Sequence, residues 1–265
     1  MTAALRPSRL RPADIARTSA AGLRTRPLQV VLSATGIAIG IAAMLAVVGI
    51  SASSGADLDR ELDRLGTDLL TAAPGTALTG ERASLPVESV AMVARIGPVR
   101  SVSATAKLPV AAYRNDRIPT AQTSSIAVLA AKLDLLATVG ARVRTGAWLT
   151  LATAAYPAVV LGSAAAVRLG IDGVGVRVWL GGQWFGVAGI LDPVVLAGEL
   201  DTSVLLGWAA AGRWLGFTGH PGTIYARAAE EHIEAVRSVL AATANPAHPE
   251  QVRVSRPSDA LAARL

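Results

Sequence analysis

The sequence predicts an α+β domain carried on a single N-terminal transmembrane helix. Three observations support this prediction. Residues 28–50 form one apolar run without a charge, strand–helix–strand patterns occur at 67–112 and again at 223–255, and the stretch between them is rich in β-type patterns. The residues that follow the apolar run are numerous enough to bury the core of one or two domains.

The apolar run 28–50 is long enough to cross a bilayer as a helix, because about 20 residues span a hydrocarbon core of about 30 Å. Six arginines and one acid precede the run, whereas five acids and two arginines follow it, up to Asp68. Positively charged flanks stay in the cytoplasm, so we expect the N-terminus inside and the body outside. A cleaved signal peptide is the alternative, although its apolar core is normally only 7–15 residues long.

The flanks of the run suggest a linear organisation along the membrane normal. Leucines 58, 62 and 65 recur at helical spacing before Gly66, which predicts that the helix continues as a stalk. The predicted segments are a basic cytoplasmic segment at 1–27, a transmembrane helix at 28–50, a stalk helix at 51–66, an extracytoplasmic domain at 67–256 and a C-terminal tail at 257–265.

The first strand–helix–strand unit follows the stalk. Its predicted elements are a strand at 67–73, a helix that is capped by Ser84 and ends before Gly97, and a strand at 99–112 that breaks at Pro109. The glycine and proline positions mark where each element should end.

The second unit has the same order. A strand at 223–227 precedes a helix at 230–243, whose apolar stripe includes Ile233 and Val236, and a strand at 251–255 follows. Two β-α-β units that enclose an insertion predict a ferredoxin-like subdomain, βαβ/βαβ, split by a β-rich inserted subdomain at about 115–220.

The insertion contains one clear hairpin. Alternating apolar residues on both sides of Gly181-Gly182 predict two antiparallel strands joined by a two-residue turn, with Trp179 and Trp184 paired across it. Packing is the default role of the five tryptophans, with a ligand pocket as the alternative. The other predicted elements are a strand at 158–161, a helix at 163–169 capped by Ser163 and ended by Gly170, and a strand at 204–206.

Gly36 and Gly40 form a GxxxG spacing inside the apolar run. Small residues allow a second transmembrane helix to approach closely, so this pair predicts a helix-packing face. Chance spacing in an alanine-rich chain is the alternative.

Motifs that carry chemistry are not found. The sequence has no phosphate-binding loop, no GxGxxG, no GxSxG and no cysteine, and its three histidines are not at metal-ligand spacing. We therefore predict a chain that is not an enzyme and that holds no cofactor and no metal. The net charge of +6 is concentrated in the N-terminal arginines and aromatic residues make up 4% of the chain, which favours contact with the membrane over nucleic acid.

Several stretches resemble permeases of MacB/FtsX-type ABC transporters. They are RPLQVVLSATGIAIGIAAMLAVVGISASSGADLDRELDRLGTDLLTAAPG, LDLLATVGARVRTGAWLT, YPAVVLGSAAAVRLGI, GVRVWLGGQWFGVAGILD and VSRPSDALAARL. The resemblance covers nearly the whole chain. It implies a first transmembrane helix followed by a MacB-like periplasmic core domain, and an expected location in the cell (inner or plasma) membrane with a single pass.

The resemblance also implies a function without catalytic residues. Permeases of this kind work with a separate ABC ATPase, which binds the ATP, and drive export or transmit motion to the outer domain. They continue into three further transmembrane helices, so this chain is expected to be a permease truncated before these helices or one that needs them from a second polypeptide. A membrane-anchored binding or scaffold module without transport is the alternative, and a secreted hydrolase is disfavoured by the missing nucleophile and metal motifs. The transported substrate does not follow from the sequence.

Overall fold

The computed structural model describes residues 28, 31–47, 68–75, 84–118 and 126–262. The chain divides into two compact units, residues 1–61 and 62–265. Each unit has its own described elements, which are numbered here in chain order.

The first unit contains one described helix, α1, at residues 31–47. The hydroxyl of Thr35 donates to the carbonyl oxygen of Val31 at 2.7 Å. Threonine side chains in helices often bond to the carbonyl four residues earlier in this way. Within the part of the chain that the structure describes, no helix combines the length and the apolar character that a membrane crossing requires. The predicted basic segment at 1–27 and the predicted stalk at 51–66 lie outside the described residues.

The second unit is built on one mixed sheet, to which ten described strands belong. The strands are β1 (Leu69–Pro74), β2 (Val99–Tyr113), β3 (Ala127–Ala131), β4 (Val143–Gly146), β5 (Ala158–Leu161), β6 (Arg177–Leu180), β7 (Gln183–Leu191), β8 (Ser203–Gly207), β9 (Thr223–Ala228) and β10 (Val252–Ser255). The helices are α2 (Ser89–Val93), α3 (Leu135–Val139), α4 (Ser163–Leu169), α5 (Trp208–Leu215), α6 (Ile233–Ala244) and α7 (Pro257–Ala262).

The strand order is β10-β1-β9-β2-β3-β8-β5-β7-β4, and β6 pairs with β2 and β7. In the part β10-β1-β9-β2, neighbouring strands are antiparallel. Further along the sheet, β3 is parallel to β8 and β5 is parallel to β7. The strands of the segment at 115–220 therefore continue the same sheet, because the long strand β2 pairs with β9 on one side and with β3 on the other.

Helices α2 and α6 cover one face of the four-strand part β10-β1-β9-β2. The predicted apolar stripe of α6 faces this core, with Ile233 and Val236 buried. Strand β9 lies between β1 and β2 and contributes Ile224 and Ala226, which are fully buried in the same cluster. Burial of such apolar surface is the main stabilising contribution to folding.

A second core lies under the strands of the segment at 115–220, where α4 and α5 pack. The predicted hairpin is confirmed, with β6 and β7 joined by Gly181 and Gly182 at φ of 51° and 86°. A two-residue turn of this kind requires positive φ at both positions, which glycine adopts at little cost. The predicted bounds of the helix at 163–169 are also confirmed, and Gly170 ends it in the left-handed conformation.

The helix predicted after Ser84 is shorter than expected. It begins at Ser89 and has Glu88 at the N-cap position, with no hydrogen bond from a capping side chain. The backbone N–H of Ser89 donates to the carbonyl oxygen of Pro86 at 3.1 Å, so the chain makes a turn before the helix starts. The predicted cap at Ser84 is therefore wrong.

The predicted break at Pro109 is wrong, because β2 runs through this position as one strand of 15 residues. The register between β2 and β3 shifts between Lys107 and Ala111. Proline has no N–H to donate to a ladder and is tolerated where a bulge interrupts the pairing. The irregularity thus absorbs Pro109 without ending the strand.

One predicted helix start and one predicted cap also differ from the structure. The segment Glu230–His232 forms a 3-10 turn, and the α-helix begins at Ile233. Ser163 is the first residue of α4 and does not cap it, because the N-cap position belongs to Gly162. A Cβ atom at Gly162 would lie 2.0 Å from the carbonyl oxygen of Leu200, so this close approach leaves no room for a larger residue at the cap.

Candidate functional site

The three histidines lie in separate parts of the chain. The Nδ1 atom of His220 lies 2.9 Å from the carbonyl oxygen of Leu85, while His232 and His248 lie near the exposed carboxylates of Glu231 and Glu250. In the described ranges, no group of three or more histidine, aspartate or glutamate side chains is placed to hold a metal ion.

The start of β1 and the end of β10 lie side by side. Thr71, near the start of β1, pairs with Ser255 at the end of β10. Their hydroxyl oxygens are 2.8 Å apart, and the Thr71 hydroxyl also lies 3.2 Å from the carbonyl oxygen of Ser255. The chain therefore enters β1 and leaves β10 at the same end of the sheet, which we call the entry–exit edge.

A largely buried ion pair lies next to the entry–exit edge. Arg227 of β9 donates to the carboxylate of Asp68, directly before β1, and the two side chains are 18% and 14% exposed. The Nε–H of Arg227 also donates to the carbonyl oxygen of Thr138 in α3 at 3.0 Å. One guanidinium thus connects the start of β1, the strand β9 and the helix α3.

Tyr225 of β9 and Glu199 form a second polar contact inside the domain. The phenol donates to the carboxylate of Glu199 at 2.5 Å, and Tyr225 is fully buried. Burial, followed by the negative charge of Glu199 and the hydrogen bond to it, raises the pKa of Tyr225 well above its usual value. The phenol therefore stays protonated and acts as a structural donor.

Two neighbouring cavities share Lys132, which directly follows β3. We call them together the Lys132 groove and describe each cavity as one half of it. The polar half, about 370 Å³, lies between α2 and β2 and is lined by Arg100, Lys132 and Asp134 among others. The apolar half, about 390 Å³, is lined by Leu151, Ala154, Ala155, Trp208 and the residues from Ala131 to Asp134. Lys132 and Asp134 line both halves and lie at the border between them.

The surroundings of the Lys132 groove are well anchored. The indole N–H of Trp148 donates to the carbonyl oxygen of Leu133 at 2.7 Å, and the hydroxyl of Ser103 donates to the carboxylate of Asp134 at 2.7 Å. Trp208 packs edge-to-face on Phe217, with ring centroids 4.8 Å apart. These contacts fix the positions of Leu133, Asp134 and Trp208 in the walls of the groove.

Sequence reasoning missed the Lys132 groove. Its lining residues come from four separate parts of the chain, so no local motif announces it. One signal was present: Lys132 is one of only two lysines in an arginine-rich chain. The predicted contact between Trp179 and Trp184 is confirmed, with centroids 5.2 Å apart and an interplanar angle of 67°, and this pair lies in the hairpin, outside the lining of the groove.

Gly36 and Gly40 lie in α1 with open space around them. A Cβ atom at either position would meet nothing within 4 Å among the described residues outside the helix's own turns. Their surface is therefore accessible to another helix, and the packing role of the pair stays a prediction.

Solved structures with the same fold are known. The periplasmic region of MacB from Actinobacillus actinomycetemcomitans matches with a TM-score of 0.54 at 13% identity, over 77% of this chain and 95% of that one. The extracellular domain of the noncanonic ABC-type transporter YknZ from Gram-positive bacteria matches with a TM-score of 0.55 at 17% identity, over 71% of this chain and 99% of that one. At these identities the likeness concerns the fold.

The sequence itself carries the family signature. No curated protein matches it. The sequence model of the MacB-like periplasmic core domain matches residues 30–244, which is most of the chain and includes every strand from β1 to β9. The resemblance inferred from the sequence motifs is thereby confirmed, and the chain belongs to the family of MacB-like periplasmic core domains.

Proposed function

We propose that this chain is a non-catalytic permease component of a MacB-type ABC transporter. In this role it couples a separate ATPase to the extracytoplasmic domain, for export or for the transmission of mechanical force. The proposal rests on membership of the family and on the entry–exit edge.

The entry–exit edge is the observation that carries the proposal. A domain that both neighbouring segments leave at one end can be moved as a body when membrane helices on those segments move. The antiparallel pairing of β1 with β10 and with β9 distributes such a load over several backbone hydrogen bonds. The Asp68–Arg227 ion pair and its bond to α3 connect the start of β1 to the interior of the domain.

The membrane arrangement is part of the proposal. Residues 28–50 are a single transmembrane helix with 1–27 in the cytoplasm, 51–66 are a stalk, and 67–256 form the extracytoplasmic domain. Within that domain, the antiparallel order β10-β1-β9-β2 with α2 and α6 on one face supports a ferredoxin-like βαβ/βαβ subdomain. The segment at about 115–220 is its β-rich insertion.

Single cysteines test the membrane arrangement, since the natural chain has none. Glu250→Cys lies in the outer domain, where the side chain of Glu250 is 63% exposed, and Ser8→Cys lies in the basic segment. In intact cells, a membrane-impermeant maleimide is expected to label Glu250→Cys and not Ser8→Cys, while both react after lysis. The opposite labelling pattern, or a mature chain that lacks the apolar run, would show that the arrangement is wrong.

The proposed partners are a separate ABC ATPase and transmembrane helices supplied by another copy of this chain or by a second polypeptide. Gly36 and Gly40 form the proposed contact in α1. Packing contacts are the main attraction between helices in lipid, so a large side chain at this face should separate the helices.

Purification of the tagged chain from its native membranes in mild detergent tests these partners. We expect the complex to hydrolyse ATP through a copurifying subunit that carries a phosphate-binding loop, and the isolated chain to hydrolyse none. Gly40→Leu should reduce the copurifying ATPase and permease helices severalfold, because their packing contacts are lost.

Ala38→Leu is the matched control for Gly40→Leu. At 100° per residue, position 38 faces away from the Gly36–Gly40 line, so this variant should retain the complex. Absence of any ATPase from the complex of the unaltered chain would refute the coupling proposal. Equal complexes for the two leucine variants would refute the helix-packing role alone.

The Lys132 groove favours a second candidate function, a membrane-anchored binding or scaffold module without a transport cycle. This candidate also uses the outer domain but needs no ATPase. The purification above separates the two, because ATP hydrolysis by a copurifying subunit is expected only for the transporter.

A further inference from the structure

We propose that the Lys132 groove binds a single-chain carboxylate amphiphile, with the carboxylate between Lys132 and Arg100 and the alkyl chain against Trp208 and Leu151. The proposal does not depend on the transport function, since it concerns only the outer domain. Each half of the groove supports one part of the ligand.

Two cationic side chains, Arg100 and Lys132, line the polar half and could bind an anion. Among the residues that the structure describes, Lys132 and Arg100 form no ion pair, and the only ring or charge contact of the Lys132 ammonium is with Trp208, 5.2 Å from the ring centroid. The carboxylate of Asp134 accepts a hydrogen bond from Ser103. With two cations and one acid lining it, this half of the groove keeps one positive charge for an incoming anion to neutralise.

The apolar half exposes apolar side chains to solvent. Leu151 is 85% exposed next to the ring of Trp208 and the methyl groups of Ala154 and Ala155. Removal of this apolar surface from water favours the binding of an apolar ligand. A volume of about 390 Å³ lies near the lower end of the range for small-molecule sites, about 300–1,000 Å³.

The geometry favours a free amphiphile over the other anions that a cationic groove could attract. A peptide strand could pair only with the part of β2 before Thr105, which is paired with β9 alone, and it would leave the apolar half uncovered. Inorganic phosphate would contact Lys132 and Arg100 and leave the apolar half uncovered. An amphiphile with a carboxylate head uses both halves at once.

A photoaffinity experiment on the full chain in lipid nanodiscs tests the proposal. The probe is octanoate with a diazirine near its terminal carbon, and labelled peptides are mapped by mass spectrometry. We expect labelling in residues 151–155 and 208–209, in addition to labelling of the apolar run 28–50 by probe dissolved in lipid. The label in the apolar run serves as the internal reference for each sample.

Two lysine variants form the matched pair. Lys132→Met removes the ammonium from the groove, and Lys107→Met removes the other lysine of the chain, which is exposed on β2. Loss of a charged hydrogen-bond donor weakens binding by about tenfold or more. Labelling of the groove peptides relative to the apolar run should therefore fall about tenfold in Lys132→Met and stay unchanged in Lys107→Met.

Two further arms test the ligand chemistry and guard against misfolding. Leu151→Asp alters an exposed side chain, so it should fold normally and still reduce groove labelling by placing an acid against the alkyl chain. Octylamine with the same diazirine should label the groove peptides far less than octanoate does. Equal labelling by the amine, or groove labelling that persists in both Lys132→Met and Leu151→Asp, would overturn the proposal.

Discussion

A fragment of residues 67–256 is expected to unfold in one cooperative transition, and a fragment of residues 67–220 is expected not to fold. The shorter fragment lacks β9, α6 and β10. Strand β9 lies between β1 and β2 and hydrogen-bonds to both, so its removal leaves two buried strand edges without partners. Such unpaired backbone groups and exposed apolar faces destabilise the fold far beyond the marginal stability of a domain.

Circular dichroism during thermal unfolding measures this difference. A fragment of residues 67–262, which also contains α7, is the control and should melt close to the 67–256 fragment. If the 67–220 fragment melted cooperatively at the same temperature as 67–256, the two β-α-β units would fold independently, and the shared sheet would be excluded as the source of stability.

Arg227→Met is expected to destabilise the domain by about 3 kcal/mol, because removal of one partner leaves the largely buried charge of Asp68 uncompensated. The variant also removes the hydrogen bond to the carbonyl oxygen of Thr138. Methionine preserves much of the apolar bulk of the arginine stem, so lost packing adds little.

Urea unfolding of the full chain, followed by tryptophan fluorescence, gives the free energy of unfolding, since all five tryptophans lie in the second unit. The control is Arg144→Met, which removes the surface ion pair with Asp192. Its side chains are 48% and 46% exposed, so its loss should cost about 1 kcal/mol or less. Similar losses for the two methionine variants would mean that the Asp68–Arg227 pair contributes no more than a surface contact.

Local patterns in the sequence predicted the elements whose ends are set by their own residues. The hairpin at Gly181-Gly182 and the helix that ends at Gly170 were predicted correctly, because positive φ at a glycine is a local property. The strand and helix that begin near Thr223 and Ile233 were also recognised, since a strand and an amphipathic helix differ in the period of their apolar residues.

Elements rich in alanine escaped the sequence reasoning. Strand β3 (Ala127–Ala131) pairs in parallel with β8, and α5 (Trp208–Leu215) follows β8 directly, but neither was predicted. Alanine carries little β-signal, so β3 exists because β2 and β8 pair with it on both sides. The alanines of α5, in contrast, favour a helix intrinsically, so its composition could have predicted it.

The sequence alone determined the family, the order of the two β-α-β units and the absence of familiar catalytic motifs, all of which depend on residues close together along the chain. Only the tertiary structure decided that the segment at 115–220 joins the same sheet, and that Arg100, Lys132, Leu151 and Trp208 line one groove. These features arise from contacts between distant segments. Such contacts depend on strand pairing and packing, which local periodicity does not encode.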